Sequence, residues 1–425
     1  MSNDSSSLFI QWLKKEVAPA LGCTEPVAIA FTAAYAAKYL DQPCDKISGF
    51  ISANLYKNAM AVTIPGTTVS GVNLAAAIGA FGGHPEKGLQ TLEGITQHHV
   101  ELAQALISLN SVNIDVQDTP DFIHLDLTVS AAEQTCRVVV KGSHTNVVEI
   151  YLNGEPQALP QPKNAAEKQR ELSTFSLQEA FDFITTAPFE DIAFILEAGR
   201  LNSALSQEGK TKKYGLNING TLSDAVNKGL MSNDLMSKVI INTVAASDAR
   251  MGGAPVIAMS NFGSGNQGIT ATMPVVTVAN HLNADEDTLA RALALSHLTA
   301  ISIHSRYTRL SALCAASTAA MGSAAGMAWL FTRNLNTINA AVINMVSDVT
   351  GMICDGASNS CAMKVSSVVS SAFKSVLMAM QDSCASANDG IVCNDVEQTI
   401  NNLCRLVIKP MTHTDREIIS IMVAK

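Results

Sequence analysis

The sequence predicts an α+β fold, in which an N-terminal α+β domain precedes a larger all-helical domain. Three observations lead there. Alternating β-type runs at 122–129, 135–140 and 147–152 are confined to the first part of the chain. Beyond Ser176 the pattern is helix after helix. Between the two lies 154–171, with Pro156, Pro160, Pro162 and mixed charges, which has the composition of a linker and divides the chain into residues 1–165 and 170–425.

Taken in order, residues 8–17 have amphipathic helical spacing: Leu8, Trp12 and Leu13 are apolar, and Lys14, Lys15 and Glu16 polar. Pro19 and Gly22 end that helix. A second is expected from Pro26 to about Leu40, because proline suits a first helical turn and Thr24 or Glu25 can cap its open N–H groups. Cys23 then precedes a helix N-terminus, whose partial positive charge favours a thiolate. Glu25 opposes that shift, and an inert buried Cys23 is the alternative. Strand-like alternation over 46–64 ends at Pro65-Gly66-Thr67, and 75–109 reads mostly as helix, interrupted at 82–85. Residues 141–146 have the length of a hairpin loop; His144 within it reads as solvated unless it faces a substrate. Seven C-terminal helical segments follow: 179–205, 221–245, 287–303, 310–332, 337–349, 363–381 and 395–406.

Apolar residues make up 47% of the 425 and aromatics only 5%, so small side chains dominate and helices can pack closely. A net charge of −9 without a basic stripe excludes a nucleic-acid partner. Nine cysteines, an odd number, and a start lacking a basic-then-apolar segment point to a cytoplasmic protein with free or metal-bound thiols. The uncharged stretch 310–332 is long enough to cross a bilayer, but it is rich in Ala, Ser, Gly and Thr. It reads as a buried helix, with no membrane association. Oligomeric state is left open, a homo-oligomer included.

Cys354 and Cys361 stand seven positions apart, separated by Gly, Ser and Asn, with Cys314 forty positions upstream. Three thiolates from a helix and a tight loop can hold a metal centre; the competing reading is that each fills a core gap. Gly263-Ser264-Gly265-Asn266-Gln267-Gly268 matches G-x-G-x-x-G, a pattern that needs a strand before it and a helix opening within it. Here a β-branched run ended by Pro274 follows, so no nucleotide site is expected. Backbone N–H groups of such a loop can instead converge on a carboxylate. Arg250 can bind a carboxylate bidentately, with an Asp248–Arg250 structural pair as the alternative. His297 and His304 read as satisfied core or surface residues. Cys44, Cys136, Cys384, Cys393 and Cys404 read as ordinary buried thiols.

Gly-Cys-Thr-Glu-Pro at 22–26, Ser-Gly-Asn-Gln-Gly-Ile-Thr-Ala-Thr-Met-Pro at 264–274 and Cys-Asp-Gly-Ala-Ser-Asn-Ser-Cys at 354–361 together resemble the L-cysteine desulfidase family. More distantly, the chain is similar to the alpha chain of iron–sulfur L-serine dehydratases. The resemblance implies a 4Fe–4S cluster held by Cys314, Cys354 and Cys361, with one iron open to an amino-acid substrate. It places the glycine-rich loop near the active site, making Ser260, Asn261, Ser264, Asn266 and Gln267 candidate substrate contacts beside His144 and Arg250. The implied reaction is α,β-elimination of L-cysteine to hydrogen sulfide, pyruvate and ammonia without pyridoxal phosphate, Cys23 acting as general base. L-serine dehydratase is the same-class rival, and a non-catalytic iron–sulfur or zinc sensor the rival from another class. A pyridoxal-phosphate lyase would need a Schiff-base lysine; Lys364 is nearest, without a phosphate cup around it. Related dehydratases can end in a cysteine that occupies the open iron. This chain ends Ile421-Met422-Val423-Ala424-Lys425, so such self-occlusion is not expected.

Overall fold

A computed structural model describes residues 3–159, 175–307 and 310–424. Most of the expected linker lies outside them. Helix α1 (Asn3–Glu16) leads through β1 (Pro19–Leu21) into α2 (Thr24–Ala37), then β2 (Lys46–Ser52) and α3 (Ala53–Ala59). The alternation over 46–64 therefore changes period partway: Leu55 and Ala59, four apart, are both buried on one helical face. Helices α4 (Val72–Gly82) and α5 (Gln97–Ser108) flank the predicted break, which is a 3₁₀ turn at Pro85–Gln90. Strands β3 (Val112–Gln117), β4 (His124–Ala131), β5 (Gln134–Lys141), β6 (Val147–Leu152) and β7 (Glu155–Pro156) complete a six-stranded sheet of order β3-β2-β4-β5-β6-β7. Only β2 and β3 run parallel. Register aligns Ile47 with Val129 and Leu127 with Val138, so alternate residues form one apolar face. That face shares a core with Val27, Phe31 and Ile78 of α2 and α4. On the other face, Arg137 pairs with Asp126 and Glu149.

The remainder is helical: α6 (Leu177–Thr186), α7 (Phe189–Ile192), α8 (Leu196–Thr211), α9 (Ile218–Asn227), α10 (Leu235–Met251), then β8 (Ile257–Met259) and α11 (Gly265–His281). After these come α12 (Glu286–His304), α13 (Ala315–Thr332), α14 (Leu335–Val349), α15 (Cys361–Ala379), α16 (Val396–Ile408) and α17 (Met411–Val423). Sheet then helices is the α+β arrangement the sequence predicts. The uncharged stretch becomes α13, buried from Ala316 to Leu330. Its small residues are needed there: a Cβ on Gly322 would lie 2.3 Å from Ser296 O, and one on Gly326 2.9 Å from Ala292 O. Among the described residues no helix is long and apolar enough to cross a membrane.

Several connections tie the helical part to the N-terminal segment, two of them at its start. Phe9 and Trp12 of α1 stack with Phe175 and Phe183 in the helical core, each such aromatic pair adding roughly 0.5–1.5 kcal/mol beyond its burial. Strand β1 pairs antiparallel with β8, Pro19 opposite Met259. The glycine-rich stretch departs from expectation: it follows a strand, β8, and opens helix α11, which continues through Pro274. Every residue from Gly265 to Ala279 is buried, so packing outweighs the backbone hydrogen bond that proline removes. The strand before it spans three residues of a two-stranded antiparallel sheet, unlike the parallel βαβ unit of a dinucleotide fold.

Candidate functional site

Three of the four cysteines singled out by sequence stand where helices begin. Cys23 is the N-cap of α2, Cys314 the N-cap of α13, and Cys361 the first residue of α15. Cys354 reaches the same place through a short backbone pairing of the two cysteine loops. Cys314 N–H donates to Met352 O at 3.0 Å, and Cys354 N–H to Ala312 O at 2.7 Å. All four line one cavity.

Burial pushes the Cys314 thiol up to about 12, with Cys354 and Cys361 adding like-charge repulsion and Lys364 partly offsetting it. Cys361 is raised by burial first and then by Cys354. Cysteine sulfurs crowded in this way are a poor set of free anions but a good set of ligands, because a metal centre neutralises thiolates as it binds them. Among the described residues no three His, Cys, Asp or Glu side chains converge on a single ion. Three cysteine sulfurs lining one cavity are the donor type that iron–sulfur clusters take, and in that sense the donor set fits one.

Cys23, which packs with Met251 against Ala357 and Cys361, donates its thiol hydrogen to Glu25 Oε2 at 3.0 Å. Thr24 Oγ1 lies 2.8 Å from Gly263 O and 3.0 Å from Glu25 Oε2, fastening α2 to the glycine-rich loop. His144 Nε2 sits 3.8 Å from Glu25 Oε1, an ion-pair separation too long for a hydrogen bond, and this buried nitrogen has no hydrogen-bond partner among the described residues. Burial acts to raise Glu25, but His144, the Cys23 thiol and Arg250 outweigh it and hold the carboxyl down at about 2. Cys23 moves the other way. Burial and then Glu25 raise it well above a normal thiol, against the lowering effect of Arg250. Cys23 thus rests as a thiol beside a carboxylate.

Arg250, at the end of α10, is almost fully buried. Nε donates to Gly22 O at 3.1 Å and Nη1 approaches Met251 Sδ at 3.2 Å. The expected Asp248 partner is turned away: its Oδ2 accepts from Asn219 N at 2.9 Å and Asn219 Nδ2 at 3.1 Å. No carboxylate oxygen lies within 4.0 Å of the guanidinium among the described residues. Arg250 therefore lines the cavity without a carboxylate in direct ion-pair contact among the described residues.

The glycine-rich loop contributes unevenly. Asn261 and Ser264 bracket a tight turn with Phe262 at φ +49° and Gly263 at φ +81°, the left-handed pair of a type I′ turn. Ser264 and Asn266 line the cavity together with Phe262 and Gly263. Asn266 Oδ1 accepts from Ser247 Oγ at 3.1 Å. Ser260, Asn261 and Gln267 do not reach the cavity. Ser260 Oγ donates to Ala18 O, while Asn261 and Gln267 join a buried chain. It runs from His304 Nδ1 to Gln267 Oε1 (2.7 Å), Gln267 Nε2 to Asn261 Oδ1 (2.9 Å), Asn261 Nδ2 to His297 Nδ1 (2.9 Å), and His297 Nε2 to Thr272 Oγ1 (3.0 Å). His304 lines the cavity; His297 lies behind it, pushed by burial to about 3 and hence neutral.

Sequence reasoning has Glu25 opposing the Cys23 thiolate but not their direct hydrogen bond, assigns Asn58 no chemistry and reads His144 as solvated. The signal for Glu25 was present two residues after the cysteine, but the same carboxylate serves equally well as a helix cap. Lys364 is held by Asp355 and Ile353 O outside the cavity lining. Cys384 is exposed, unlike the other non-motif cysteines, which are buried or half-buried. Ser358, Asn359 and Ser360 also stay outside the cavity lining, whereas Gly356 and Ala357 enter it.

The sequence pattern of the family described as serine dehydratase alpha chain matches residues 86–420, a span that includes Cys314, Cys354, Cys361, His144 and Arg250. A UPF0597 protein of Klebsiella pneumoniae is 79% identical over 425 residues, covering 100% of both chains. The UPF0597 protein YhaM of Escherichia coli is 50% identical over 423 residues, covering 98% of this chain and 97% of its own. A UPF0597 protein of Actinobacillus pleuropneumoniae is 49% identical over 417 residues, covering 98% and 96%. A match over most of the chain, spanning the cysteine wall and the lone arginine, settles the family: this chain belongs to the serine dehydratase alpha chain family.

Proposed function

We propose that this protein is an iron–sulfur-dependent, pyridoxal-phosphate-independent lyase that eliminates the β-substituent of L-cysteine, giving hydrogen sulfide, pyruvate and ammonia. One observation carries the reading: a single cavity joins three helix- and loop-borne cysteines, a buried arginine without a carboxylate partner and an acid–base group built on Cys23. Cys314, Cys354 and Cys361 would hold a 4Fe–4S cluster, whose open iron supplies Lewis acidity toward the substrate carboxylate and the departing β-sulfur. The two units, 1–165 and 170–425, meet at this cavity, the first supplying the acid–base group and the second the ligands.

The chain's own residues divide the remaining work. Arg250 fixes the substrate carboxylate by charge-assisted hydrogen bonds. Glu25 receives the substrate ammonium, and that neutralisation removes the charge opposing ionisation of Cys23. With that charge neutralised, Cys23 gives up its own proton to solvent, and the thiolate takes the Cα proton. The electron pair of the Cα–H bond becomes the Cα–Cβ double bond as the β-sulfur leaves as hydrosulfide with the Cβ–S pair, and the proton now on Cys23 passes to it, giving hydrogen sulfide and restoring the thiolate. Aminoacrylate tautomerises to the imine, and water releases ammonia and pyruvate. Phe262 and the buried wall around His304 limit water at the reacting carbon.

Cysteine is favoured over serine because thiolate is a far better leaving group than hydroxide and a soft sulfur suits thiolate-ligated iron. Serine dehydration is the second reading, supported by the family itself. The test is kcat/KM for L-cysteine and L-serine with one anaerobically reconstituted preparation. A preference for serine would leave the elimination standing and remove the desulfidase assignment. A non-catalytic sensor leaves the Cys23–Glu25–His144 group and the lone Arg250 without a role.

A further inference from the structure

Lys57 is among the largest fully buried side chains of the described residues, at 0% exposure. It stands on α3, in the N-terminal unit, yet its ammonium points into the cysteine loops. Nζ lies 3.4 Å from Ser311 O and 3.4 Å from Cys354 O, at the long end for hydrogen bonds, and forms an ion pair with Asp415 of α17. Asn54 of α3 donates to the other oxygen of Asp415. The backbones touch as well. Gly356, at φ +98°, lies so close that a Cβ there would sit 2.2 Å from Lys57 O, and 3.2 Å from Met422 of α17. The next residue, Asn58, lines the cavity, with Oδ1 4.0 Å from Cys354 Sγ and its carbonyl 4.0 Å from Cys23 Sγ.

We propose that Lys57 is a positioning residue that locks the Cys314 and Cys354–Cys361 loops in register, with Asp415 of the C-terminal helix closing the lock. A positive charge fixed between two carbonyls from two cysteine loops does what neither loop can do alone. It sets their separation and places a cation behind a wall that becomes anionic when its thiols ionise. Asp415 is the only buried residue of α17, so that helix is tied down largely through this pair. The proposal rests on the reading that these cysteines hold the cluster, but it also makes a statement about the cluster-free chain.

The test compares wild type, Lys57→Met and the double variant Lys57→Met/Asp415→Leu. Removing one partner leaves a buried charge and can unfold the protein, whereas an apolar pair restores packing without restoring the carbonyl contacts. In the cluster-free proteins, maleimide labelling of Cys354 is followed by peptide mass spectrometry at temperatures where circular dichroism shows full folding. In anaerobically reconstituted proteins, iron release to a chelator is timed. Cys354 labelling and iron release should both be at least tenfold faster in the folded double variant than in wild type, although melting temperatures match. Wild-type rates in the double variant would make the pair purely structural and overturn the proposal. If wild type itself takes up no cluster, the lyase reading fails separately, and the labelling rates alone decide for or against Lys57.

Discussion

The Cys23 thiol donates to Oε2 of Glu25 across 3.0 Å, two residues further along the first turn of α2. Burial is the main reason the Cys23 thiol is raised; Glu25 adds to it by its charge and by accepting the thiol hydrogen, while Arg250 lowers it. Glu25→Gln removes the charge and keeps the shape. The pH midpoint for iodoacetamide alkylation of Cys23, followed on its own peptide, should fall by about one unit, equivalent to about 1.4 kcal/mol. An unchanged or higher midpoint would mean that Glu25 does not govern the thiol.

Arg250 gives the opposite shift. Arg250→Met removes the cation that favours the Cys23 thiolate, so the same midpoint should rise. The variant should also raise KM for the amino acid roughly ten- to hundredfold, the worth of a charge-assisted contact of about 1.5–3 kcal/mol, with a smaller change in kcat. A variant that lowers kcat and leaves KM alone would place the substrate carboxylate elsewhere.

Acid should destabilise the fold through His297. Its folded pKa of about 3 lies below the ordinary 6.5 because burial penalises the charged ring. The unfolded chain therefore takes up this proton first. The stability contribution is complete above about pH 6.5 and is lost as pH falls toward 3, amounting to roughly 5 kcal/mol. His297→Gln should flatten the dependence of urea-unfolding free energy on pH between 6.5 and 3, though it lowers stability at pH 7 by disturbing the Asn261–Thr272 contacts. A slope as steep as wild type would assign the acid sensitivity to other groups.

Much of this site was legible in the sequence because local chemistry set it. Thr-Glu-Pro after Cys23 specifies a helix start, and Gly-Ala-Ser-Asn-Ser between Cys354 and Cys361 a turn followed by a helix. What was hidden depends on the other half of the chain. His144 lies in a polar hairpin loop, and only its approach to Glu25 buries it. Helix α11 was disguised by Ile269, Thr270, Thr272 and Pro274, which disfavour an isolated helix, and it is rescued by burial on all sides. Lys57 lies in the stretch read as strand-like, and its burial was not legible because its partner Asp415 is 358 residues away.

The most direct measurement is iron content and pyruvate release from L-cysteine in wild type, Cys354→Ala and Cys23→Ala, each reconstituted and assayed without oxygen. The three cysteines and the Cys23 group line one cavity in different proposed roles, so their losses should separate. Wild type should carry close to four irons per chain, as a 4Fe–4S cluster requires, and release pyruvate with sulfide. Cys354→Ala should lose both iron and pyruvate, whereas Cys23→Ala should keep its iron and lose pyruvate. Full iron loading of wild type without pyruvate from either cysteine or serine, or full loading of Cys354→Ala, would contradict the account.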